Sequence, residues 1–204
     1  MNLASLRHCT LVAALAVLPS LVAAEPAIIA KARAYLGSEA ALNAVTSIHF
    51  TGKLISADPA DPTKEKTGAV EIVFQKPYRQ RISNVDSVVT ETTVLDEYES
   101  WMRMQQTNDA SKWQHTNLNI EQIKRLRANT LETLSFYRFP ASAGVTIEEQ
   151  GTTSLDGVEC VKLAFRHGPG IVFVRFFDKA TGRLVITETE AGGSIQEVGE
   201  IKVG

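Results

Sequence analysis

The chain has 204 residues, 44% of them hydrophobic and 22% charged, with a formal net charge of −2. That is enough apolar material for one globular domain with a substantial core. The near-neutral charge excludes the electrostatic footprint of a nucleic-acid binder.

The N-terminus reads as a secretory signal. Arg7 supplies a positive n-region, residues 11–18 a short apolar h-region, and Val22 and Ala24 the small residues of a cleavage site. The apolar run is too short to span a bilayer. The expected cut follows Ala24, which makes 1–24 the signal peptide and 25–204 a single exported domain. Cys9 leaves with the signal, so no internal disulfide is expected, and Cys160 reads as a small packed residue.

Residues 27–36 predict the first mature helix. Pro26 suits its start, and Ile28, Ile29, Ala32, Tyr35 and Leu36 form its apolar stripe. Lys31 and Arg33 fall to its polar face. Gly37 ends it, and Ser38 can cap a second short turn reaching Val45. Residues 47–56 predict a strand, with Ile48, Phe50, Gly52 and Leu54 on one face and His49 on the other. The polar stretch 57–67, with Asp58-Pro59 and Asp61-Pro62, predicts a hairpin loop.

From Gly68 to Met104 the pattern predicts an antiparallel meander. Val70, Ile72 and Phe74 alternate with Ala69, Glu71 and Val73, and Pro77 ends that run. Further strands are expected over 78–83, 87–95 and 98–106, and a short one over 112–116. Asn117 or Asn119 can cap a helix over 120–137, with Ile120, Ile123, Leu126, Leu131 and Leu134 as its buried stripe. Lys124, Arg125 and Arg127 read as its solvated face, and Phe139-Pro140 as its break. Strands follow over 145–153, 158–166, 171–178, 183–190 and 195–203, with Asp156-Gly157 as a hairpin turn. The regular spacing predicts an antiparallel sheet, so the fold class is α+β.

The sequence contains no evident catalytic or metal constellation, and neither an enzyme nor a cofactor is expected. His49, His115 and His167 are isolated, without metal-ligand spacing. His167-Gly168-Pro169-Gly170 reads as a turn rather than a site. Glu148 and Glu149 are neighbours in a strand, so they face opposite sides and cannot share acid–base work.

Several local motifs resemble the outer-membrane lipoprotein-sorting (LolA-like) family. Val73-Phe74-Gln75-Lys76-Pro77 resembles its strand end with a basic residue before Pro. Thr93-Val94-Leu95-Asp96, with Trp101 five residues after the Asp, resembles its turn and following Trp strand. Asp156-Gly157…Lys162-Leu163 and Phe177-Asp178…Thr181-Gly182-Arg183-Leu184 resemble later hairpins. The resemblance implies a strongly curved antiparallel sheet, an incomplete β-barrel, covered by helices around an apolar cavity. It implies a periplasmic carrier of lipid or lipoprotein acyl chains, loaded by an inner-membrane exporter and unloaded at an outer-membrane receptor. Lys76 would stand where the family keeps the basic residue that holds its helical lid, as Lys and not Arg. The same fold also serves as a periplasmic sensor that binds a signalling partner.

A carrier needs an apolar concavity. The candidate lining is Phe50, Leu54, Ile72, Phe74, Ile82, Met102 and Met104 from the sheet, with Ile123 and Leu134 from the covering helix. Met suits a variable chain. Periodicity fits a filled core equally well.

Overall fold

The computed structural model describes residues 25–58, 61–189, 194–196 and 202–203. The expected signal peptide and its cleavage site lie outside the described residues, as do residues 197–201 of the expected last strand and the Leu54 side chain.

The chain begins with helices α1 (Ala27–Leu36) and α2 (Glu39–Ala44). A meander follows: β1 (Ser47–Asp58), β2 (Asp61–Gln75), β3 (Arg79–Val85), β4 (Val89–Asp96), β5 (Glu99–Gln106) and β6 (Asp109–Asn117). Helix α3 (Ile120–Ser135) leads to a second meander: β7 (Thr146–Leu155), β8 (Val158–Arg166), β9 (Val172–Asp178), β10 (Leu184–Thr189) and β11 (Ser194–Gln196). The expected α+β class with an open antiparallel sheet is what the structure shows. It comes as two sheets, of six and five strands, because β6 and β7 do not pair.

Local chemistry accounts for the boundaries. The Ser38 hydroxyl accepts from the Ala41 N–H at the start of α2. Asn119 and Gln122 form a reciprocal capping box on α3. The hairpin between β7 and β8 turns through Asp156 (φ 49°) and Gly157 (φ 82°), as its Asp-Gly sequence requires.

Several expectations are corrected. The loop expected over 57–67 is mostly ladder: Ile55 pairs with Thr67, Ser56 with Lys66 and Ala57 with Glu65. Backbone pairing does not depend on side-chain polarity. Helix α3 ends earlier than Phe139-Pro140, where Phe136 adopts a left-handed conformation (φ 47°). Its buried residues are Ala128, Thr130, Glu132 and Leu134, whereas Ile120 is 63% exposed. Arg33 is buried, not solvated.

The main core lies between α1 and the second sheet. Ile28, Ile29, Ala32 and Leu36 pack with Leu163, Phe165 and Phe177, together with Leu42, Phe136 and Tyr137. Gly182 (φ 81°) fits against the backbone of α1, where a Cβ would lie 2.6 Å from the Lys31 carbonyl carbon. A smaller cluster of Cys160, Phe176 and Val185 fills the opposite face of that sheet. Cys160 is fully buried, and burial raises its thiol pKa.

Candidate functional site: an apolar trough under helix α3

Strand register brings the sheet candidates onto one face. Ile48, Phe74, Gln80, Leu95 and Ser100 are successive cross-strand partners and form a first row. Two residues further along each strand, Phe50, Ile72, Ile82, Thr93 and Met102 form a second. A third runs through Gly52, Val70, Asn84, Glu91 and Met104. The Leu54 position pairs with Gly68 and continues this face at the level of the backbone.

Helix α3 covers the first row only. The Thr130 hydroxyl reaches Gln80 Oε1 at 3.0 Å, and Phe74, Gln80, Leu95 and Ser100 are all buried. The second and third rows are half-buried or exposed, and Phe50 and Met104 each keep 39% of their surface. None of Phe50, Ile72, Ile82, Met102 or Met104 belongs to either packed cluster. The three rows span ~13 Å along the strands. The result is a trough with an apolar floor, closed at one end by α3 and turning polar at Asn84 and Glu91.

The lid is fastened along its length. The Leu118 N–H donates to the Ser100 carbonyl at 2.9 Å. Arg127 donates to the Glu97 carbonyl at 2.7 Å, with its guanidinium 3.9 Å from the Tyr78 ring centroid and 4.3 Å from that of Tyr98. At the C-terminal end, Arg33 Nη1 donates to the carbonyls of Ser135 (3.0 Å) and Phe136 (2.8 Å). Its Nε and Nη2 grip Glu39 at 2.8 and 2.7 Å. The same hydrogen bonds hold the Glu39 carboxyl below its ordinary range. On the opposite side of α3, the buried Glu132 carboxylate pairs with His167 and with Arg175 of β9. Arg175 also lies 5.1 Å from the ring centroids of Tyr137 and Phe165.

Ile123 is half-buried on α3. Leu134 and Lys76 stand apart from the trough. Both line a cavity of about 310 Å³ between the β2–β3 turn, the end of α3 and α2. Lys76 is exposed, and Arg33 donates to the carbonyls that end α3.

Sequence reasoning missed Arg33, Glu132, His167 and Arg175. The expected turn at His167 exists, since its N–H donates to the Ile171 carbonyl at 3.0 Å, but its ring is buried. One signal was available. Arg175 lies between Phe173 and Phe177 on the inward face of its strand, and Arg33 follows Ile29 by one helical turn. A charge on an apolar face points to a buried partner.

The remaining histidines lie on the solvated side. His49 Nε2 is 2.9 Å from Glu71, and His115 Nε2 is 3.1 Å from Asn117 Oδ1. Among the described residues, no cluster of His, Cys, Asp and Glu is arranged to hold a metal ion, and no helix is long and apolar enough to cross a membrane.

No family model and no curated protein matches the chain. Solved structures similar to it include a LolA superfamily protein from Nitrosomonas europaea, at 11% identity and a TM-score of 0.46, covering 86% of this chain and 80% of that one. A DUF1329 family protein from Desulfovibrio piger matches at 11% identity and 0.44, covering 80% and 72%. The lipoprotein LppX of Mycobacterium tuberculosis matches at 16% identity and 0.31, covering 85% and 93%. At these distances they carry nothing about ligand or activity.

Proposed function

We propose that the protein is a periplasmic, non-enzymatic carrier that holds a lipid or lipoprotein acyl chain in the trough. The observation that carries this reading is the state of the second row. Phe50, Ile72, Ile82, Thr93 and Met102 are successive cross-strand partners, yet all five are half-buried or exposed. An apolar face left open beside a fastened helix gains from an apolar occupant. Each buried methylene contributes ~0.8 kcal/mol, so a chain of about ten supplies roughly 8 kcal/mol before the entropy of binding is subtracted. Met102 and Met104 can adapt to chains of different shape. The finer role, relaying chains from an inner-membrane exporter to an outer-membrane receptor, rests on the motif resemblance around Lys76-Pro77 and Leu95-Asp96.

Titration with saturated fatty acids of increasing length, competing against a fluorescent fatty-acid probe, tests the reading. Affinity rising about fourfold per added methylene is expected until the trough is filled. Absence of probe binding, or affinity independent of chain length, would overturn it.

A further inference from the structure

The cavity that holds Lys76 is distinct from the trough: no residue of the second or third row lines it. Its inner wall is apolar, built from Leu42, Leu131, Leu134 and Phe136, of which Leu42, Leu134 and Phe136 are buried. Its charged lining consists of Arg33, Lys76 and Arg138, with no carboxylate among them. The two arginines are already committed. Arg33 spends its nitrogens on Glu39 and the end of α3. Arg138 grips Glu25 at 2.8 Å through Nε and through Nη2, and meets Glu39 at 3.2 Å. Both carboxyls are held below their ordinary range by these guanidinium hydrogen bonds, so they stay ionised and matched to the arginines. Among the described residues, no carboxylate is paired with the Lys76 ammonium at the cavity mouth.

We propose that this cavity is a binding site for a small amphiphilic anion, whose carboxylate or phosphate meets Lys76 while its short apolar tail lies against Leu42, Leu131 and Leu134. Charge complementarity selects the head group, and the leucines select a tail over a bare ion. The volume of about 310 Å³ gives room for a head group and a short tail. The site stands independently of what occupies the trough.

Calorimetric titration of wild type, Lys76→Gln and Lys76→Arg with octanoate, octyl phosphate, acetate, inorganic phosphate and neutral octyl glucoside tests this. Backbone amide shifts identify where each probe sits. Octanoate and octyl phosphate are expected to bind wild type and Lys76→Arg, to lose about tenfold in affinity on Lys76→Gln, and to shift the amides of Leu131 and Leu134. Octyl glucoside binding should be the same in wild type and Lys76→Gln. Three results would overturn the proposal. One is equal octanoate affinity for wild type and Lys76→Gln. Another is acetate or inorganic phosphate binding as tightly as its octyl counterpart, which would leave only a free-anion site. The third is octanoate shifts confined to Ile72, Ile82 and Met102, which would assign the probe to the trough and leave the carrier reading intact.

Discussion

Arg33 ties helix α1 to the C-terminal end of α3. Its guanidinium is buried, and its planar fork serves Glu39 and the carbonyls of Ser135 and Phe136 together. Lysine cannot reproduce that geometry. Arg33→Lys is therefore expected to cost about 2–4 kcal/mol in urea unfolding, and to speed amide exchange at the C-terminal end of α3 before the rest of the helix. Asp86, in the turn between β3 and β4, gives a pH-dependent counterpart. Lys66 at 2.6 Å, then the N–H groups of Val89 and Val88 at 2.7 Å each, lower its pKa from 3.8 to about 2. Its folded pKa lies below the ordinary value, so the stability it contributes is present above pH ~4 and is lost as the pH falls towards 2. The urea midpoint should drop across that window, and Asp86→Asn should flatten the drop. Asp86 falls between the strands expected over 78–83 and 87–95, and the sequence does not mark it, because its carboxylate contacts depend on Lys66 of β2.

At the scale of elements, α3 is held between two sheets by opposite faces. Thr130 meets Gln80 on the first sheet, while Glu132 meets His167 and Arg175 on the second. Removing one member of a buried ion pair strands the other charge. Glu132→Leu or Arg175→Met alone should cost about 3–5 kcal/mol, and the double variant clearly less than the sum of the two. Additive losses in urea unfolding would mean that the two charges are not coupled. The elements themselves were largely readable. Helix α1 and strand β8 have the bounds that periodicity predicts, since their apolar spacing is unbroken and Gly37, Gly157 and His167-Gly168 punctuate them. The interior face of α3 was not readable. Its burial follows from polar residues, Thr130 and Glu132, whose partners lie 50 and 35 residues away in sequence. A stripe counted from leucines and isoleucines cannot include them, and it wrongly included Ile120.

For the whole molecule, the decisive feature is what the two sheets leave uncovered. Both packed clusters are built mainly from the second sheet and the helices, with Ile48 of β1 packed against the larger one, while the second row of the first sheet stays half-buried or exposed. Alternation in Phe50, Ile72, Phe74, Ile82, Met102 and Met104 was enough to place these residues on one face, because strand register keeps the two-residue period. It could not separate core from trough, since the same pattern serves both. Ile72 lies in the open row between Phe50 and Ile82 and provides the most direct test. Ile72→Trp adds volume to an unfilled space, so the urea stability should stay within about 0.5 kcal/mol of wild type while long-chain fatty-acid probes lose more affinity than short ones. A wild type that binds no probe, together with an Ile72→Trp variant destabilised by about 1–3 kcal/mol through overpacking, would contradict the carrier account and make the face an ordinary core.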